Sequence, residues 1–95
     1  MKFKIPSSFK VACVDYEVVK TKNLGANDAR RGVTSYFNRK IEIDPDQGLA
    51  EQHHAFLHEA LHAIDNIFDT DLKETQIKRI ASGYCQLIQQ LEPEE

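Results

Sequence analysis

Ninety-five residues, 28% charged and 41% hydrophobic, fit one small soluble domain, since independent domains usually run to roughly 100–200 residues. Fifteen acidic against twelve basic side chains give a net charge of −3, which argues against general nucleic-acid binding. No apolar run approaches the roughly 18–20 residues that span a bilayer, and Met1-Lys2-Phe3-Lys4-Ile5-Pro6 lacks the pattern of a secretory signal.

Cys13 and Cys85 are too few for a disulfide framework, so both are expected to be thiols and the chain to be cytoplasmic. Residues 10–20 (KVACVDYEVVK) read as two short strands around a turn near Val14-Asp15, with Val11, Tyr16 and Val18 facing the core. Residues 21–32 carry Asn23, Gly25, Asn27, Asp28 and Gly32 and read as a loop that also holds Arg30-Arg31. Residues 33–37 and 40–43 form a second hairpin bent at Asn38-Arg39. In its returning strand Ile41 and Ile43 alternate with Lys40 and Glu42, the period of a half-buried strand. Asp44-Pro45-Asp46 ends that strand, and Pro45 suits a first helical position.

The spacing predicts a helix over residues 47–68. Leu57, Leu61, Ile64 and Phe68 form an apolar stripe that Phe56, Ala60 and Ile67 widen. Asp69-Thr70-Asp71 breaks the run. Asp71 followed by Glu74 reads as the start of a second helix, with Asp71 as its cap. Ile77, Ile80, Ala81, Tyr84, Ile88 and Leu91 then repeat at helical spacing until Pro93, and Tyr84 is assigned to the core. A link of only two or three residues packs the helices antiparallel. The expected fold is α+β: a small antiparallel sheet of two hairpins, then an antiparallel helical hairpin. Residues 1–95 make one domain, with 92–95 as a flexible acidic tail.

The chemistry is concentrated in His58-Glu59-Ala60-Leu61-His62, an H-E-x-x-H motif on the first predicted helix. Residues four apart share a helix face, so both imidazoles can reach one ion, for which Zn2+ is the expected identity. Glu59 projects about 100° further round, placed to act as general base rather than as ligand. Chance would produce such a motif in roughly one chain of this composition in seventy. Two solvated histidines on an amphipathic helix are the plain alternative.

A third ligand must come from elsewhere. His54 lies on the same face, but it and His62 are about 12 Å apart along the axis, so it reads as a rim residue. His53 points to the apolar side and reads as packed or partly exposed. Glu74 is the foremost candidate, since an antiparallel neighbour 8–10 Å away lets a long carboxylate cross between helices. A helix-start glutamate favoured by the dipole explains it equally simply. Asp65 is the runner-up, either as a ligand or as the group that orients an imidazole.

The stretch HEALHAIDNIFDTDLKETQIKRIASGY resembles the small phage and prophage minimal zincins, which are related in motif to the ImmA/IrrE-type metallopeptidases. The similarity is best over residues 41–91, about half the chain. It rests on the motif, the following Ala63-Ile64-Asp65, then Asp71-Leu72, Glu74, Gln76-Ile77 and Arg79-Ile80-Ala81. That resemblance implies a sheet whose edge strand lies above the motif helix, His58, His62 and Glu74 as ligands, and Glu59 as base. Eleven residues separate His62 from Glu74, fewer than in thermolysin-like gluzincins. No extended third-histidine motif follows, which argues against a metzincin.

The leading expectation is a zinc metallopeptidase whose peptide or protein substrate pairs with the edge strand near residues 33–37, with Tyr36 or Tyr84 assisting the carbonyl oxygen. The alternative is a metal-stabilised binding or regulatory module in which Glu59 is idle. A nucleic-acid surface built from Arg30, Arg31, Arg39 and Lys40 ranks third, so neither nucleic acid nor membrane is an expected partner.

Overall fold

The computed structural model describes residues 4–22, 24 and 31–91. The first three residues, the loop residues Asn23, Gly25, Asn27, Asp28 and Arg30, and the expected tail 92–95 lie outside them. β1 (Ser8–Val11) and β2 (Val14–Lys20) form a hairpin whose turn is Ala12-Cys13, two residues earlier than expected, with Val11 paired to Val14. Ala12 takes the left-handed φ of 56° that suits a two-residue hairpin. This register puts Phe9, Val11, Val14, Tyr16 and Val18 on one face; a turn at Val14-Asp15 would take Val14 out of that set.

β3 (Gly32–Ser35) and β4 (Lys40–Ile43) form the second hairpin, Thr34 opposite Ile41. The sheet order is β1-β2-β4-β3, and β2 pairs with β4 in parallel, Val18 beside Ile41. The sheet is therefore mixed, which corrects the all-antiparallel expectation. Hairpin signals fix the partners within each hairpin but not which strand of one meets the other. Ile41 and Ile43, both fully buried, belong at the centre, so β4 takes the inner place and β3 is left at the edge.

The second half is helical. α1 (Leu49–Phe68) follows Gly48 rather than starting at Pro45, because the Asp44 carboxylate accepts the Asp46 amide at 2.9 Å and holds a turn there. Its Ala55, Phe56, Ala60 and Ala63 pack on the sheet, and Phe9 bridges Tyr16 and Phe56 with ring centroids 5.8 and 5.6 Å away. The most buried stripe is thus displaced from the expected one: Leu57 and Ile64 flank it and Phe68 is exposed. Alanines at the contact bring the helix axis close to the sheet.

α2 (Glu74–Gln90) packs antiparallel on α1 through Ile77, Ala81 and Cys85. Tyr84 is 54% exposed, against its assignment to the core, because among the described helices and strands α2 meets α1 alone and buries a single narrow stripe. The link between the helices, residues 69–73, is longer than the two or three residues expected. Asp71 does not cap α2; it sits at a left-handed φ of 59°, and the Lys73 amide donates to Gln76 Oε1 at 2.8 Å instead. Cys13 is exposed and Cys85 buried, both free. Among the described residues no helix is long and apolar enough to cross a membrane.

Candidate metal centre

His58 and His62 share the face of α1 that looks toward α2. Their rings are 5.0 Å apart and tilted by 55°, with Nε2 atoms 3.2 Å apart. Glu74, the first residue of α2, reaches across: Oε1 lies 2.8 Å from His58 Nε2 and Oε2 2.9 Å from His62 Nε2. With the protons on Nε2, each imidazole donates to one carboxylate oxygen. The helix-start position that favours a glutamate electrostatically also delivers it between the histidines.

The loop between the helices is built on Asp65. Its Oδ1 accepts the Thr70 hydroxyl and the Leu72 amide, and its carbonyl accepts the Asp69 and Thr70 amides. These bonds, the Thr70 hydroxyl first and the Leu72 amide second, hold the Asp65 carboxyl below its ordinary pKa. Asp65 is accordingly outside the group that brings His58, His62 and Glu74 together, and its observed partners belong to the loop that delivers Glu74.

The donor set fits a divalent transition ion. One oxygen and two imidazole nitrogens within 4.8 Å of one another make a group able to hold a metal. Ligands at roughly 2.0–2.2 Å in tetrahedral array stand about 3.4 Å apart, close to the 2.8–3.2 Å separations here. An ion needs the bare lone pair of each Nε2, so it takes the place of the hydrogen bonds that hold Glu74 between the histidines.

The two remaining histidines separate. His54 Nε2 lies 3.0 Å from Ser82 Oγ, and burial, followed by His58 and Arg31, lowers its pKa. It stands on the rim, as expected. His53 is 4% exposed and its Nδ1–H donates to the Leu49 carbonyl at 2.7 Å, a packed side chain.

Glu59 turns away from Glu74 toward β3 and is 8% exposed. The Thr34 hydroxyl donates to its Oε1 at 2.6 Å. At Gly32 a β-carbon would stand 2.9 Å from Glu59 Cγ and 3.3 Å from the Glu42 carbonyl, so glycine permits this approach. Thr34 was not singled out in the sequence, and Gly32 was assigned to the loop before the strand, whereas it is the first residue of β3.

β3 and α2 do not touch among the described residues, so α1 forms the floor of a cleft of about 840 Å³ between them. Gly32 and Val33 line one wall, Glu74 and Lys78 the other, and His58, Glu59 and His62 rise from the floor. Tyr36, just beyond β3, has its phenol pushed upward by burial first and then by Asp65 and Glu59, so it remains a proton donor. Neither Tyr36 nor Tyr84 is among the residues that line the cleft. Comparison with protein-family models, with curated proteins and with solved structures finds no match to this chain.

Proposed function

We propose that the chain is a zinc-dependent metallopeptidase of the minimal zincin kind. The observation that carries the reading is the division of labour on one helix: His58 and His62 converge with Glu74, while Glu59 lies beside them in the same cleft and outside the ligand group. Two imidazoles and a carboxylate suit zinc and leave a position open, the pattern of catalytic rather than structural sites. Bound there, zinc supplies the Lewis acidity that polarises a peptide carbonyl and makes water nucleophilic near neutral pH.

The chain's own groups supply the rest. An extended peptide pairs with the outer edge of β3, which no strand occupies among the described residues and whose other edge is taken by β4. Glu59 removes a proton from the attacking water as its oxygen bonds to the carbonyl carbon. It then returns that proton to the amine nitrogen as the C–N bond breaks. The Thr34 hydroxyl, bonded to Oε1, holds the carboxylate in one orientation through both transfers. The oxyanion donor in this reading is the Tyr36 phenol, whose pKa is raised by burial first and then by Asp65 and Glu59.

One observation favours a second reading, a metal-stabilised binding module. α2 packs on α1 alone among the described residues, so an ion held by both helices would staple it down. The Glu59→Gln variant separates the two. Under the peptidase reading it keeps one zinc per chain and loses at least a hundredfold in peptide cleavage. Zinc-loaded wild-type protein that cleaves nothing, yet unfolds on chelation, supports the module instead.

A further inference from the structure

The cleft is not uniform along its length. At one end stands the His58, His62 and Glu74 group; the other is lined by Arg31, His54, Lys78 and Ser82. Lys78 is four residues after Glu74, the spacing at which glutamate and lysine normally pair on a helix. Here both Glu74 oxygens are held by the histidines, and Lys78 is left with no carboxylate partner among the described residues. Arg31 has none either, and its main chain is pinned: the Arg31 carbonyl accepts the Asp44 amide at 3.1 Å and Gln47 Nε2 at 3.0 Å. Two unpaired cations thus face one end of a cleft in a chain of net charge −3. No carboxylate lines that end among the described residues; the two in the cleft, Glu59 and Glu74, belong to the metal end. The His54–Ser82 contact at 3.0 Å ties the floor to the α2 wall at this level.

We infer that the Arg31–Lys78 end of the cleft is a carboxylate-binding subsite that selects peptides carrying a negative charge near the bond to be cut. The inference rests on the peptidase reading and names the substrate class of the same cleft. The spacing is consistent. His54 stands about 6 Å along the α1 axis from His58, and an extended peptide advances about 3.3 Å per residue. The charge therefore falls about two residues from the scissile carbonyl. An acidic side chain and a free chain terminus present the same group there, and arginine and lysine both bind it through charge-assisted hydrogen bonds.

The experiment uses zinc-loaded Glu59→Gln protein and fluorescent pentapeptides that differ only by Glu or Gln at the second residue on either side of the bond between residues three and four. Each is made with a free or an amidated C-terminus, and binding is read by anisotropy. A Glu peptide or a free terminus is expected to bind about tenfold more tightly than its neutral counterpart. Lys78→Glu and Arg31→Glu, both exposed positions, are expected to erase or invert the preference. The two arms tell side-chain from terminal carboxylate. Equal affinity for all peptides, no binding of any, or a preference that survives both substitutions overturns the inference. Wild-type protein that cleaves Glu and Gln peptides with equal kcat/KM sinks the subsite and spares the peptidase reading. Acid-selective binding without cleavage of any peptide does the reverse.

Discussion

α1 and α2 meet at the same site on unequal footings. α1 lies between the sheet and α2, its Ala60 and Ala63 buried against Ile41 and Ile43, and it carries His58, Glu59 and His62. Among the described helices and strands α2 touches α1 alone; it buries Ile77, Ala81 and Cys85 and offers Glu74, whose side chain is 51% exposed. The difference teaches how ion binding and folding are joined here. The imidazoles are set by the core, whereas the third donor arrives only if α2 docks, so whatever loosens α2 weakens the site before it unfolds the domain.

The sharpest way to break this comparison is to cut each footing separately. Ile41→Ala and Ile77→Ala each remove a fully buried side chain and are expected to cost about 2–5 kcal/mol in chemical denaturation. Only Ile77→Ala is expected to lower zinc affinity in proportion to the undocking of α2; unchanged affinity would uncouple the two. Zinc should then act as a staple. At a free concentration a hundred times Kd it adds about 2.7 kcal/mol, or roughly 10–20 °C in Tm, and Glu74→Ala should lose most of that gain.

Smaller effects refine the sheet side. Thr34→Val leaves the buried Glu59 carboxylate without its donor and is expected to cost about 1–3 kcal/mol. Cleavage should fall while zinc content holds; equal cleavage would reduce Thr34 to packing. The loop gives the mildest test. Because the Asp65 pKa is depressed in the folded chain, its bonds stabilise fully above the ordinary carboxylate value of 3.8 and are lost as pH falls through the lower folded value. Asp65→Asn should remove that acid-dependent component from a Tm-versus-pH curve. A curve unchanged below about pH 4 would take Asp65 out of the loop's electrostatics.

What the residues disclosed in advance follows the range of the interactions. The His58–His62 pair depends on a four-residue spacing within one helix, and the burial of Tyr16, Val18, Ile41 and Ile43 on alternation within single strands; both were legible. The parallel pairing of β2 with β4 and the Thr34–Glu59 bond, 25 residues apart, depend on which elements meet in space, and no local pattern encodes that. Tyr84 shows the same limit from the other side. It sits on an apolar helical repeat, yet its exposure is decided by how many neighbours α2 finds. Asp65 lay on the predicted ligand face, but the link after Phe68 was expected to span only two or three residues, and its partners Thr70 and Leu72 went unread.

The claim beneath all of this is that a single ion is shared by two helices. X-ray absorption on protein titrated with one equivalent of zinc tests it most directly, run beside the Glu74→Ala variant. The account predicts a saturable site with two imidazole nitrogens and a carboxylate oxygen, in which the variant exchanges that oxygen for solvent and binds at least tenfold more weakly. A spectrum and affinity identical in both proteins, or no stoichiometric binding at all, would contradict it.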